Sequence, residues 1–225
     1  MRLELGKPVR AADREVVGEL ADVIIDPVEK RVTHLAVKPH HGDGGLHLVP
    51  IELAVSGDDS HEISLRCDSE EVRQLPNVQQ FEYLRLGDAP VSDPDWDIGV
   101  TDVLAPQYYD NGMGGFTGPV DERVGVVYDR IPKGEVEIRR SSSVISADGH
   151  YVGDVDGFLV DADEKITHFV LERGHLWGRR EVTIPIELVT SVKSDAVTVG
   201  LSKDGIGDLP AHKVHRWSLR RETES

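Results

Sequence analysis

The chain has 225 residues, with 25 Lys+Arg against 41 Asp+Glu for a formal net charge of −16. A surface this acidic repels polyanions within the Debye length, which disfavours direct nucleic-acid binding and attachment to anionic membranes. At 39% hydrophobic and 29% charged residues the composition is that of a globular protein of one or two domains, neither fibrous nor disordered. No run approaches the roughly 18 apolar residues of a membrane-spanning helix, and no apolar signal core follows Met1 to Pro8. A cytoplasmic protein without membrane insertion is expected. Cys67 is the single cysteine, which leaves no intramolecular disulfide and no Cys-based zinc site, and a buried thiol is its expected state.

In chain order, the apolar residues alternate or run in short blocks bounded by turn formers, which is the pattern of strands and not of helices. Val23-Ile24-Ile25 leads into Asp26-Pro27, turns through Glu29-Lys30, and returns along Val32 to Val37, which predicts a hairpin. A loose connection through Gly42-Asp43-Gly44-Gly45 leads to a predicted strand over Val49-Pro50-Ile51-Glu52-Leu53, and Glu62 to Cys67 closes the unit. Only Ser69 to Leu75 reads as helical, with a serine cap, carboxylates in its first turn and Pro76 as its stop.

The same unit then recurs. Thr33-His34-Leu35-Ala36-Val37 returns as Thr167-His168-Phe169-Val170-Leu171, and Val49-Pro50-Ile51-Glu52-Leu53 as Ile184-Pro185-Ile186-Glu187-Leu188. Asp13, Gly18 and Asp26 parallel Asp148, Gly153 and Asp161, and Leu75-Pro76 parallels Leu209-Pro210. The second hairpin runs Phe158-Leu159-Val160, turns through Asp161 to Lys165, and returns along Ile166 to Leu171; Gly174 to Arg180 connects onward and Ala196 to Leu201 closes. Repeats are expected over 1–76 and 136–210, separated by 77–135 and followed by a tail, 211–225. A unit of this size buries only about 60% of its unfolded surface, so each copy is expected to pack on another, in this chain or a second one.

A Gly-bearing strand, an acidic hairpin turn, a Thr-His-apolar return strand, a Val/Ile-Pro-Ile segment and a closing strand with an acidic helical turn together resemble the PRC-barrel family. That family includes the cytoplasmic domain of the photosynthetic reaction-centre H subunit and the C-terminal half of a ribosome-maturation factor. The resemblance implies an all-β fold of two small antiparallel barrels, each with a short terminal helix, joined by a long irregular linker. It also implies a binding or assembly module with no catalytic residues to carry over.

The chemistry-bearing residues fit that reading. His34 and His168 occupy equivalent places among apolar neighbours and are expected to pack or hydrogen-bond. His40, His41 and His47 share one loop region and could grip a transition metal, but a solvated loop is the simpler expectation. Asp154, Asp156, Asp161 and Asp163 crowd a hairpin without the spacing of a calcium-binding helix–loop–helix, and Asp161 is expected to initiate the turn. Glu52 and Glu187 are expected at the surface; Gly112 to Gly118 lacks the ending of a phosphate loop, and Ser141-Ser142-Ser143 lacks the context of a nucleophile. No catalytic, cofactor or metal residue is predicted, and the chain is not expected to be an enzyme.

Residues 77–135 hold seven of the twelve aromatic residues, together with four basic against eleven acidic ones. The rings suit a partly ordered belt lying against one or both barrels, while Asp88-Ala89-Pro90, Asp93-Pro94-Asp95 and the glycine cluster argue for an irregular path. The tail is basic, with Lys213, Arg216, Arg220 and Arg221 against Glu222 and Glu224. The expected function is a non-enzymatic protein-interaction or assembly module that can self-associate. Its candidate contact residues are Trp96, Tyr108, Tyr109, Phe116, Trp177 and Trp217. Two alternatives are an accessory factor in RNA or ribosome metabolism acting through a protein partner, and a ligand- or metal-binding stress protein using the histidine loop.

Overall fold

The computed structural model describes residues 1–40, 45–55, 62–85, 94–104, 123–140, 142–173, 180–193 and 195–213. The first repeat contains β1 (Arg2–Glu4), β2 (Pro8–Arg10), β3 (Val16–Asp26), β4 (Arg31–Lys38), β5 (His47–Pro50), β6 (Ala54–Val55), β7 (Ile63–Leu65) and α1 (Ser69–Gln74). Then come β8 (Gln79–Arg85), β9 (Trp96–Leu104) and β10 (Arg123–Pro132). The second repeat contains β11 (Val136–Arg139), β12 (Ser143–Ile145), β13 (Tyr151–Val160), β14 (Ile166–Arg173), β15 (Arg180–Pro185), β16 (Val189–Val192), β17 (Ala196–Val199) and α2 (Lys203–Gly207), and β18 (Ala211–Lys213) follows it at the start of the tail. The expected all-β class, with one short terminal helix per repeat, is the observed one.

Two compact units divide the chain, Gly6–Glu137 and Met1–Leu5 with Ile138–Ser225. In the first, the strand path is β5-β4-β3-β2-β7-β6, with β11 also paired to β3. In the second it is β16-β17-β12-β13-β14-β15-β18, with β1 paired to β13. The β2–β7 and β12–β17 ladders are parallel and each lies beside antiparallel neighbours. In each unit β5 and β6, or β15 and β16, follow one another through a three-residue turn yet lie far apart in the strand path, so the sheet must curl to join them.

That turn differs from the strand expected over Val49–Leu53 and its copy. The strands end at Pro50 and Pro185, and Ile51–Leu53 and Ile186–Leu188 are single 3-10 turns. Ile51 and Ile186 are buried while Glu52 and Glu187 are exposed, because a 3-10 turn carries only one residue in three inward. The first terminal helix also starts one residue earlier than expected. Its cap is Asp68, which accepts from Glu71 N at 2.8 Å while the Glu71 carboxylate accepts from Asp68 N at 2.9 Å. Ser202 caps the second helix by accepting from Gly205 N.

The repeated residues do the same work in each copy. Asp26 and Asp161 each accept two backbone N–H bonds in the hairpin turn, from Val28 and Glu29 and from Asp163 and Lys165. Gly18 and Gly153 sit where a strand crosses its neighbour closely. A Cβ would lie 2.2 Å from the Lys38 carbonyl oxygen in one copy and 2.3 Å from that of Glu172 in the other. The second unit's core is centred on the cross-strand pair Phe158 and Phe169, whose rings meet edge to face at 5.0 Å.

The described residues within 77–135 form regular strands, which their turn formers did not suggest. β8, β10 and β9 form a three-stranded antiparallel sheet in that order. Pro94 and Asp95 lie just before β9, and the density of turn formers in the sequence conceals the apolar runs of the strands. The Gly112 to Gly118 stretch lies outside the described residues.

Candidate interaction surface

The Thr-His motif is a backbone device. Both β3 and β13 bulge where they pass β4 and β14, at Ile24/Ile25 and Leu159/Val160. The Thr167 hydroxyl donates to the Leu159 carbonyl at 3.1 Å and satisfies an acceptor at its bulge, while Thr33 Oγ1 lies 3.2 Å from the Ile24 carbonyl with its single proton turned to the Glu135 carboxylate. The histidines follow at half-buried positions. His168 Nδ1 lies 3.1 Å from Thr167 Oγ1, and His34 Nδ1 lies 3.6 Å from the Glu135 carboxylate, which also accepts from Thr33 Oγ1. The hydroxyl beside His168 gives its proton to the Leu159 carbonyl, and each histidine contributes to a strand-pairing corner.

The other polar candidates are scattered. His40 is exposed, His47 lies in β5 with its backbone bridged to Asn77, and His41 lies outside the described residues. Asp154 accepts from the Tyr151 hydroxyl at 2.9 Å, Asp156 is buried, and Asp161 is engaged in its turn. Among the described residues no group of three His, Cys, Asp or Glu side chains is arranged to hold a metal ion. Cys67 is buried, and desolvation, with the nearby carboxylates of Glu71, Asp68 and Asp13 adding to it, pushes the thiol above its ordinary value and keeps it protonated.

Trp96 is the one candidate contact ring within the described residues; Tyr108, Tyr109, Phe116, Trp177 and Trp217 lie outside them. Its indole is partly buried against Ile24, Ala36, Leu48 and Val78, alongside Leu46 and Ile131. The Arg130 guanidinium stands 4.9 Å over the ring, a cation–π contact. Trp96 therefore helps hold the three-stranded sheet onto the first repeat's core. Val78, Arg130 and Ile131, which share this job, carry no signal in the sequence beyond ordinary strand alternation. Around them, Lys133 N donates to Asp95 O at 3.0 Å, Gly134 N to Asp97 Oδ2 at 2.8 Å, and Arg130 N to Val78 O at 2.6 Å. This sheet ends on β8 and β9, whose outer edges carry no partner strand among the described residues.

Two curled sheets built on the same residues, without a catalytic constellation among the described side chains, define a duplicated β module. The PRC-barrel domain model matches residues 5–73 and again 140–206, and the chain belongs to that family, with two copies in tandem. The family is generally non-catalytic. No curated protein matches the chain. The sheet β8-β10-β9 falls outside both matched segments.

Among the described residues no helix is long and apolar enough to cross a membrane.

Proposed function

We propose that this tandem PRC-barrel protein is a non-enzymatic binding module that captures a protein partner through the sheet β8-β10-β9. What supports this is the sheet's position: it is additional to both family segments, anchored to the first repeat's core by Val78, Trp96 and Ile131, and bounded by two edge strands. An extended segment added to such an edge gains main-chain hydrogen bonds, and alternate side chains set its specificity. Eleven acidic residues against four basic ones in 77–135 favour a basic partner segment. Tyr108, Tyr109, Phe116, Trp177 and Trp217 are proposed as further contacts.

The β9 edge allows a clean test. Asp95 and Lys133 are bonded across the start of the ladder, so by antiparallel alternation Asp97 also bonds inward while Trp96 and Ile98 turn their amides away from β10. Pro132 opposite Trp96 fits, since it has no N–H to offer. Ile98→Pro removes one outward N–H and leaves the β9–β10 ladder intact. The full chain and this variant are used as bait in extract of the native cell, with and without nuclease treatment, and captured proteins are identified by mass spectrometry. A partner lost from the variant, with circular dichroism unchanged, is the expected result. Identical capture by both removes the β9 edge from the reading, and capture that disappears with nuclease points to an RNA-borne complex.

A further inference from the structure

The strand that leads each repeat in sequence completes the sheet of the other. β14 takes one edge of β13 along Asp154–Val160, and on the opposite edge β12 takes only Tyr151–Asp154. The remainder is a short slot, and β1 fills it with the pairs Arg2↔Leu159, Leu3↔Phe158 and Glu4↔Gly157. Leu5 N donates to Asp156 O at 2.8 Å, Val160 N to Met1 O at 2.8 Å, and Met1 N to Val160 O at 2.6 Å. Leu3 is 0% and Leu5 2% exposed. Arg2 bonds Glu181 of β15 at 2.5 Å.

The slot is shaped for a strand. A Cβ on Gly157 would lie 2.2 Å from the Leu3 carbonyl oxygen, so only glycine lets β1 approach; the equivalent position of the first repeat is Asp22. Gly6, immediately after the strand, has φ +83, a conformation that glycine adopts without cost and that suits a hinge. Meanwhile β11, the leading strand of the second repeat, pairs with β3 of the first.

We propose that the Gly157–Leu159 edge is an exchangeable strand slot, which residues 1–5 of a second copy of this chain can fill to give a strand-exchanged dimer. Every ladder bond, the Leu3 seat and the Arg2–Glu181 pair are the same whichever copy supplies the strand. Closed and exchanged forms therefore differ chiefly in concentration and hinge conformation. This inference stands apart from partner capture at β9, and either can fail alone.

The test uses Arg2 and Leu159. Met1–Val160 and Leu5–Asp156 are bonded positions, which makes Arg2↔Leu159 a non-hydrogen-bonded pair with close Cβ atoms, suited to a disulfide. In a Cys67→Ala background, full-length Arg2→Cys and Leu159→Cys chains are mixed, unfolded, refolded together and oxidised. The expected product is a disulfide-linked heterodimer that increases with protein concentration and is lost when Leu3→Asp is added to the Arg2→Cys chain. The double variant Arg2→Cys/Leu159→Cys should close within one chain at low concentration. Closure in the double variant with no cross-linked heterodimer at any concentration overturns exchange. Failure of the double variant to close, in a chain that retains its circular dichroism, overturns the slot itself.

Discussion

Gly18 and Gly153 have no side chain for a physical reason that the repeat alone suggests: backbone of the neighbouring strand occupies the space. Because the obstructing atoms are the carbonyls of Lys38 and Glu172 at 2.2 and 2.3 Å, no rotamer change relieves a methyl placed there. Gly18→Ala or Gly153→Ala should destabilise its unit by about 1–3 kcal/mol, the usual cost of forced backbone shifts. Gly200→Ala, where the new methyl meets Thr190 Cγ2 at 3.4 Å, should be close to neutral. Urea unfolding of the three variants checks this, and equal midpoints would show that the crossings can relax. The matched aspartates are subtler. Asp13 accepts from Ser69 N at 3.1 Å and Asp148 from Lys203 N at 3.1 Å, each tying an early turn to the first turn of its repeat's terminal helix. Their pairing in sequence was visible, but their partners, more than fifty residues away, were not. The Ser69 hydroxyl, then the Glu15 and Ser69 amides, hold the Asp13 carboxyl below its ordinary value. The Ser146 hydroxyl, opposed by desolvation and helped by the Lys203 amide, does the same for Asp148. Depressed folded-state values mean that the unfolded chain binds more protons on acidification. The stabilisation is therefore complete above the ordinary carboxylate range and is lost as pH falls below about 4. Asp13→Asn/Asp148→Asn should flatten that acid limb in urea midpoints measured from pH 7 to 3; an unchanged slope would assign it to other carboxylates.

At the scale of elements, the hairpins, the closing strands and the terminal helices could be read from the sequence because each is announced locally. Asp26 and Asp161 turn the chain, and the carboxylates Glu70 and Glu71 with Pro76 behind them mark a helix, although its cap is Asp68 and not the expected Ser69. What could not be read was pairing across the chain. Arg2-Leu3-Glu4-Leu5 alternates as a strand should, yet nothing in four residues says which sheet it joins. Likewise Trp96 reads as a contact ring, because the residues that cover it, Ile24, Ala36, Leu48 and Val78, lie in other parts of the chain. The consequence for β1 is testable. Leu3 is completely buried against the second repeat, so Leu3→Ala should cost about 2–5 kcal/mol, the range for emptying a leucine site in a core. The loss should appear in the second repeat although residue 3 precedes the first. Hydrogen exchange should accelerate along β13 and β14, at Gly157 to Leu171, and stay unchanged along β3 and β4. Acceleration confined to β3 and β4 would mean that β1 belongs to its own repeat.

For the whole molecule the governing quantity is charge. At −16 the chain repels itself, and its ion pairs oppose that only locally: Arg10 grips Glu62 with contacts of 2.8 and 2.9 Å, Arg73 meets Glu15 at 2.5 Å, and Arg2 meets Glu181. These pairs are at least partly exposed, and solvent screening leaves such pairs with little net effect on stability. Salt weakens both the attraction within pairs and the repulsion among the excess carboxylates, and the two effects move stability in opposite directions. The excess of acidic over basic residues is large outside the basic tail, while the pairs seen among the described residues are wet, so repulsion should win. The thermal midpoint is expected to rise as NaCl goes from low concentration towards physiological ionic strength, where the Debye length has shortened to about 8 Å. Calorimetric scans in NaCl check the direction, and choline chloride at matched ionic strength separates screening from specific sodium binding. Screening should also bring two copies together more readily, so the exchanged heterodimer should form in higher yield in the same salts. A midpoint that falls with salt would mean that the ion pairs outweigh the net charge, and a falling yield would then be expected with it.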